Sequence, residues 1–179
     1  GQCGRDICYV IVNWYQSLKQ IDMKRAALFF AIFFCLVTSV SAQNLSVVNG
    51  NYVDASGNAY SGALNQYFEN GTIKATLQIL NGQLDGAAVF YYENGAKMEA
   101  GKYVKGQRDG IWETWNVSGI KTGEASYALG IKNGMWFIWD DAGTKRMEMQ
   151  YTNGEKTGTW KMWNETGELI NERKYSVGS

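Results

Sequence analysis

The chain predicts an all-β fold: an elongated antiparallel meander of tandem 24-residue β-hairpins behind an N-terminal signal-peptide helix. Three observations carry this reading. Gly62, Gly86, Gly110, Gly134 and Gly158 stand 24 residues apart without a slip. Two further series, Gly71 to Gly167 and Gly82 to Gly178, keep the same register, so fifteen of the 21 glycines are periodic. Between them recur Trp112, Trp136 and Trp160, then Tyr67, Tyr91, Trp115, Trp139 and Trp163, then Tyr103, Tyr127, Tyr151 and Tyr175. A repeat of this length is one supersecondary unit, too small to bury a core alone and stabilised by its neighbours.

Taken from the N-terminus, residues 1–22 precede Met23 and read as upstream translation or a disordered extension. Residues 23–42 read as a signal peptide: Met23-Lys24-Arg25 supplies the positive start, residues 26–37 the apolar stretch, and Val40-Ser41-Ala42 the small residues before a cut. The apolar stretch is shorter than the roughly 20 residues that span a bilayer. Cys3, Cys8 and Cys35 all precede that cut, which leaves the mature chain without a disulfide. Residues 43–61 read as a half repeat capping the array, and residues 62–85, 86–109, 110–133, 134–157 and 158–179 as five units.

Within a unit, Asn70-Gly71 and Asn94-Gly95 mark hairpin turns, because both residue types tolerate positive φ. A second turn, Asn81-Gly82 or Asn153-Gly154, is expected to lead through a polar linker to the next opening glycine. Lys145, Met147, Met149 and Tyr151 alternate with Arg146, Glu148 and Gln150, as on a half-buried strand. Trp112 and Trp115, three apart, point to opposite faces of a regular strand. Either a bulge re-aims one of them, or aromatic residues cover both faces of a single-layer sheet.

The pattern Gly-x-Trp-x-x-Trp, then x-Gly, then Lys-x-x-Glu-x-x-Tyr resembles MORN-type repeats over residues 62–179. It is most similar to the variant in bacterial YwqK-family antitoxin proteins. Lys121 with Glu124 and Lys145 with Glu148 match the second-strand pattern in full. The second unit keeps Lys97 but has Ala100, and the last keeps Glu172 but has Leu169. The resemblance implies a protein-interaction or lipid-contacting scaffold and an antitoxin-like role.

Composition argues against catalysis and nucleic-acid binding. The chain has no histidine, and its mature part no cysteine, which removes the commonest general base, the thiol nucleophile and the main transition-metal ligands. No cofactor or metal site is expected. Glu69, Glu93 and the Asp140-Asp141 pair read as solvated turn residues rather than paired acid and base. Of 17 basic and 17 acidic residues, four and two fall in residues 1–42, leaving 13 against 15, without the basic surplus that phosphates demand.

The aromatic ladder carries the remaining functional signal, since Trp and Tyr serve both as cross-strand packing and as interface anchors. Trp115, Trp139 and Trp163, flanked by polar Asn116, Asp140 and Asn164, are the candidate partner-binding residues, with Tyr91 and Tyr67 at the same repeat position. The expected role is an exported, non-enzymatic scaffold of the periplasm, outer surface or extracellular space. Its expected partner is a protein, either a toxin or an envelope protein. The alternative is a wall or glycan-binding module; peripheral membrane contact ranks below both, and the open C-terminal edge suggests self-association.

Overall fold

The computed structural model describes residues 44–176; the expected extension, the expected signal peptide and residues 177–179 lie outside them. All regular structure among the described residues is strand. Strands β1 (Ser46–Val48) and β2 (Asn51–Val53) form a small hairpin. Ten more form one antiparallel sheet in strict chain order: β3 (Gly62–Tyr67), β4 (Ile73–Leu80), β5 (Gln83–Tyr91), β6 (Lys97–Val104), β7 (Gln107–Trp115), β8 (Lys121–Ala128), β9 (Ile131–Trp139), β10 (Lys145–Thr152), β11 (Glu155–Trp163) and β12 (Leu169–Tyr175). The result is the meander of hairpin repeats that the glycine period implied.

The two glycine turns of each unit are not alike. At Asn81-Gly82 both residues are left-handed, with φ of 50° and 80°, which gives a two-residue hairpin turn that matches strand twist. At Asn70-Gly71 only the glycine is left-handed. There Phe68 N–H bonds Thr72 C=O, Gly71 N–H bonds Phe68 C=O, and the Asn70 side chain accepts from Thr72 N–H. The expected polar linker after the second turn does not exist. Residues 83–85 already belong to β5, because a two-residue turn returns the chain directly into pairing.

The strand instead breaks its ladder at the opening glycine. Ala100 pairs with Glu113 and Lys102 with Asp109, so a two-residue step on β6 faces a four-residue step on β7. The same mismatch recurs at the other three junctions. Gly134 shows why glycine stands in it: its φ is +106°, and an added Cβ would lie 2.9 Å from the Ser126 Cβ.

A second, one-residue bulge follows each five-residue loop. Thr114 pairs with Gly123 but Trp115 with Lys121, which leaves Thr122 extra. In the next unit Met147 pairs with Ile138 and Lys145 with Trp139. Lys145 therefore points to the face opposite Met147, Met149 and Tyr151. This corrects the simple alternation expected of this strand; the cause is the bulge at Arg146.

The sheet thus carries aromatic residues on both faces. One, here the tyrosine face, holds Trp112, Trp136 and Trp160 packed against the tyrosines. Tyr103 meets Trp112 at 4.9 Å, and Tyr127, Trp136, Tyr151, Trp160 and Tyr175 form a continuous stack with centroids 5.0–5.4 Å apart. Each indole N–H donates to the carbonyl ten residues earlier, on Lys102, Ser126 and Gln150. The best-buried cluster, Leu64, Ala75, Leu77, Ile79, Ala88 and Trp112, lies toward the N-terminal end. Leu45, Tyr52 and Tyr60 of the 44–61 segment pack over it.

That segment docks as a repeat would. Gly82 N–H donates to Tyr60 C=O at 2.8 Å, as Gly106 N–H does to Leu84 C=O at 2.7 Å one unit later. Asn81 N–H reaches the Ser61 hydroxyl, as Lys105 and Leu129 N–H reach Asp85 and Asp109.

Two substitutions test this account by denaturant unfolding. Gly101→Ala places a methyl 2.3 Å from the fully buried Trp112 ring and is expected to lose about 1–3 kcal/mol, the usual range for overpacking a core. Leu129→Asn is expected to gain about 1 kcal/mol, because Leu129 holds a left-handed φ of 45° at a turn position where other units use Asn81 and Asn153.

Candidate binding face

The opposite face, here the lysine face, is built by the one-residue bulge. On a regular strand Lys121 and Glu124 would point to opposite sides; the extra Thr122 turns both to the same side. Lys121 Nζ then contacts Glu124 at 2.5 Å and Glu113 at 2.7 Å, and Lys145 contacts Glu148 at 2.8 Å. The Lys-x-x-Glu pattern is therefore a bulge with an ion pair.

Cross-strand register lines up Tyr67 with Ile73, Tyr91 with Lys97, Trp115 with Lys121, Trp139 with Lys145, and Trp163 with Leu169. All five residues singled out from the sequence, Trp115, Trp139, Trp163, Tyr91 and Tyr67, fall in this one row. None is buried, and Tyr67 is 53% exposed. The rings that share their strands, Trp112, Trp136 and Trp160, are on the other side within the tyrosine stack.

Sequence reasoning missed the lysines of the row. Lys97 Nζ lies 4.9 Å from the Trp115 centroid, Lys121 5.4 Å from Trp139, and Lys145 4.7 Å from Trp163, each reaching over the ring of the following unit. Cation–π attraction of this kind contributes about 0.5–1 kcal/mol at exposed sites. The signal was present in the 24-residue spacing of Lys97, Lys121 and Lys145, but without the bulge their face could not be assigned. Phe137 joins the same surface, 5.8 Å from Trp139 and under Lys145.

Next to this row runs an acidic one, in which Glu113 and Glu124 are direct cross-strand neighbours and Glu148 pairs with Lys161 and Lys161 with Glu172. Two carboxylates opposite one another repel, and Lys121 between Glu113 and Glu124 relieves it. Partial burial works against the Lys121 ammonium, but its bonds to Glu113 and Glu124 outweigh this and hold its pKa above the ordinary lysine value. Its stabilising contribution is thus complete below that ordinary value and is lost as pH rises through the raised one.

The Asp140 and Asp141 carboxylates have structural partners. Asp140 accepts from the N–H groups of Ala142 and Thr144 and from Arg146. The Thr144 N–H is the main cause that holds its pKa below the usual carboxylate range. Asp141 accepts from the Asn116 amide, which ties one turn to the next.

Residues 156–176 match the family model described as a MORN repeat variant. The matched stretch covers nearly all of β11, its loop and β12, and the same glycine, aromatic and turn positions recur in the preceding units, so the matched MORN-type repeat ends an array of like units. The chain has no match among curated proteins.

Lys121→Met is expected to destabilise by about 1 kcal/mol or less at low salt, since the pair is only partly shielded. The loss should shrink as salt rises. Adding Glu113→Gln should restore part of it by removing one of the opposed carboxylates, read as a non-additive term in a double-mutant cycle.

Proposed function

We propose that this chain is an exported, non-enzymatic repeat scaffold whose lysine face binds a protein partner. The observation that carries the reading is the single row of five unburied aromatic side chains, Tyr67, Tyr91, Trp115, Trp139 and Trp163, held at one repeat position on paired strands. Aromatic residues in such rows are the usual anchors of protein interfaces, and strands hold them in place before binding, which lowers the entropy lost on association. The similarity to YwqK-family antitoxin repeats supports an antitoxin-like or immunity role, in which the face covers a toxin. An envelope protein is the other partner class.

The lysine positions favour protein over glycan. Stacking a sugar on Trp115, Trp139 or Trp163 requires an open ring face, and Lys97, Lys121 and Lys145 already stand over those rings. A protein can instead match the alternating rings, ammonium groups and carboxylates. The reading of Met23 to Ala42 as a signal peptide supports export, with the periplasm, the outer surface or the extracellular space as the proposed location.

Pull-down with the tagged chain from the native envelope fraction, with bound protein and bound glycan assayed in parallel, tests this. A single stoichiometric protein is expected, lost when Trp115, Trp139 and Trp163 are all replaced by Ala and indifferent to soluble wall fragments. Wall glycan retained without a protein, with a Trp fluorescence change on adding wall fragments, would replace this reading with the glycan one.

A further inference from the structure

The tyrosine face has a charge pattern that the lysine face lacks. In β8 to β12 every acidic strand residue, Glu124, Glu148, Glu155 and Glu172, alternates onto the lysine face. The tyrosine face of the same strands carries Lys132, Lys156 and Arg173. Lys132 spans Trp136 and Tyr151 at 4.5 and 4.9 Å, Lys156 spans Trp160 and Tyr175 at 4.6 and 5.5 Å, and Arg173 lies over Tyr175. Among the described residues none of these three cations has an acidic partner.

Beside this row the same face is apolar and indented. Thr114, Gly123, Ile138, Met147, Met162 and Asn171 stand in cross-strand register from β7 to β12. Two clefts open along it. One of about 320 Å³ lies between Trp112, Thr114, Trp136 and Ile138 over Gly123 and Ala125; a second of about 230 Å³ lies among Met147, Trp160, Met162 and Arg173. Ile138 and Met162 remain 39% and 36% exposed beside them. Each cleft is near or below the lower size limit of a whole-ligand site, and so suits one large side chain. The flexible thioethers of Met147 and Met162 can adapt to differing shapes, as at surfaces that accept peptides.

We propose that the tyrosine face is a second binding surface, separate from the lysine face, which takes an extended acidic peptide segment running across the strands from β7 to β12. Two large apolar side chains of the segment enter the two clefts. Its carboxylates pair with Lys132, Lys156 and Arg173, whose charges no acidic group among the described residues answers. The Arg108–Glu99 ion pair closes the first cleft at its β6–β7 end, so the segment's acidic residues are drawn toward β9 to β12.

Selection of a displayed library of random linear peptides on the full chain tests this. The enriched sequences are expected to be acidic, with two large apolar residues separated by several positions. The tightest, made synthetically, should lose about tenfold in affinity on Lys132→Gln with Lys156→Gln, the size expected when two surface ion pairs are removed. Affinity should also weaken as salt rises, and survive Trp115→Ala on the lysine face. Thermal unfolding of each variant separates a binding loss from a folding loss. Enrichment of neutral or basic peptides, no enrichment, or an affinity indifferent to the double variant overturns the proposal. So does the finding that the face is filled by a second copy, seen as a dimer dissolved by that variant, or that only vesicles of anionic lipid bind there.

Discussion

The structure depends on the junction between units, where a glycine bulge and an indole close a gap that a regular ladder would not leave. Two extra residues beside each opening glycine interrupt strand pairing, and the carbonyls of Lys102, Ser126 and Gln150 lie within or at the edge of the interruption. The N–H groups of Trp112, Trp136 and Trp160 bond these same carbonyls at 3.1, 2.9 and 3.1 Å. A carbonyl left without a partner is costly, so at the three junctions that carry a tryptophan its indole N–H answers the carbonyl beside the bulge, while the β4–β5 junction keeps the bulge with Ala88 in that place. The bulge also sets the Trp136 and Trp160 rings against Tyr151 and Tyr175, the tyrosines opposite Gly134 and Gly158, which links a backbone irregularity to the aromatic stack. In the first two units Leu64 and Ala88 replace the tryptophan, and there burial under Tyr52 and Tyr60 takes over.

The two bulges differ in parity, and that difference makes the two faces chemically distinct. Two inserted residues keep the side-chain alternation, so Arg108 and Trp112, or Lys132 and Trp136, share a face and meet as cation and ring. One inserted residue reverses the alternation, so Lys121 joins Trp115 and Glu124 on the other face. A regular strand would have put each lysine of the Lys-x-x-Glu pattern on the tyrosine face, away from its glutamate. The ordered ion pairs and lysine-covered rings of the lysine face are a consequence of the bulge at Thr122 and its counterparts.

Periodic glycines and aromatic residues made the strand count, the chain-order meander and the hairpin unit legible, because turn chemistry and repeat length are local properties. Trp115, Trp139, Trp163, Tyr91 and Tyr67 could be grouped in advance because they share one repeat position. The face of Lys145 could not be read, since period-two reasoning assumes an unbroken strand and the bulge at Arg146 breaks it. Nor could the identity of residues 83–85 as strand, because Gln83 and Asp85 are polar in the manner of a linker; Asp85 is in fact needed to accept the Lys105 N–H. The larger of the two clefts on the tyrosine face depends on Gly123 and Ala125 standing between larger neighbours on adjacent strands, a relation that register alone reveals.

The ends of the array follow different logic. At the N-terminal end the 44–61 segment lays Leu45, Tyr52 and Tyr60 over Leu64, Leu77 and Ile79, which covers the tyrosine face while β3 remains the outer strand. At the other end β12 is the outer strand and almost wholly exposed, with Leu169 and Ile170 more than half open to solvent. It presents Glu172, Arg173 and Lys174 in succession, and charged side chains on an edge strand discourage indiscriminate pairing. The best-buried cluster thus lies in β3 to β7, while positive charge on the tyrosine face without an acidic partner among the described residues accumulates toward β12. The N-terminal units supply the packed anchor, and the C-terminal units, less committed to their own core, hold the side chains that remain free to engage something else.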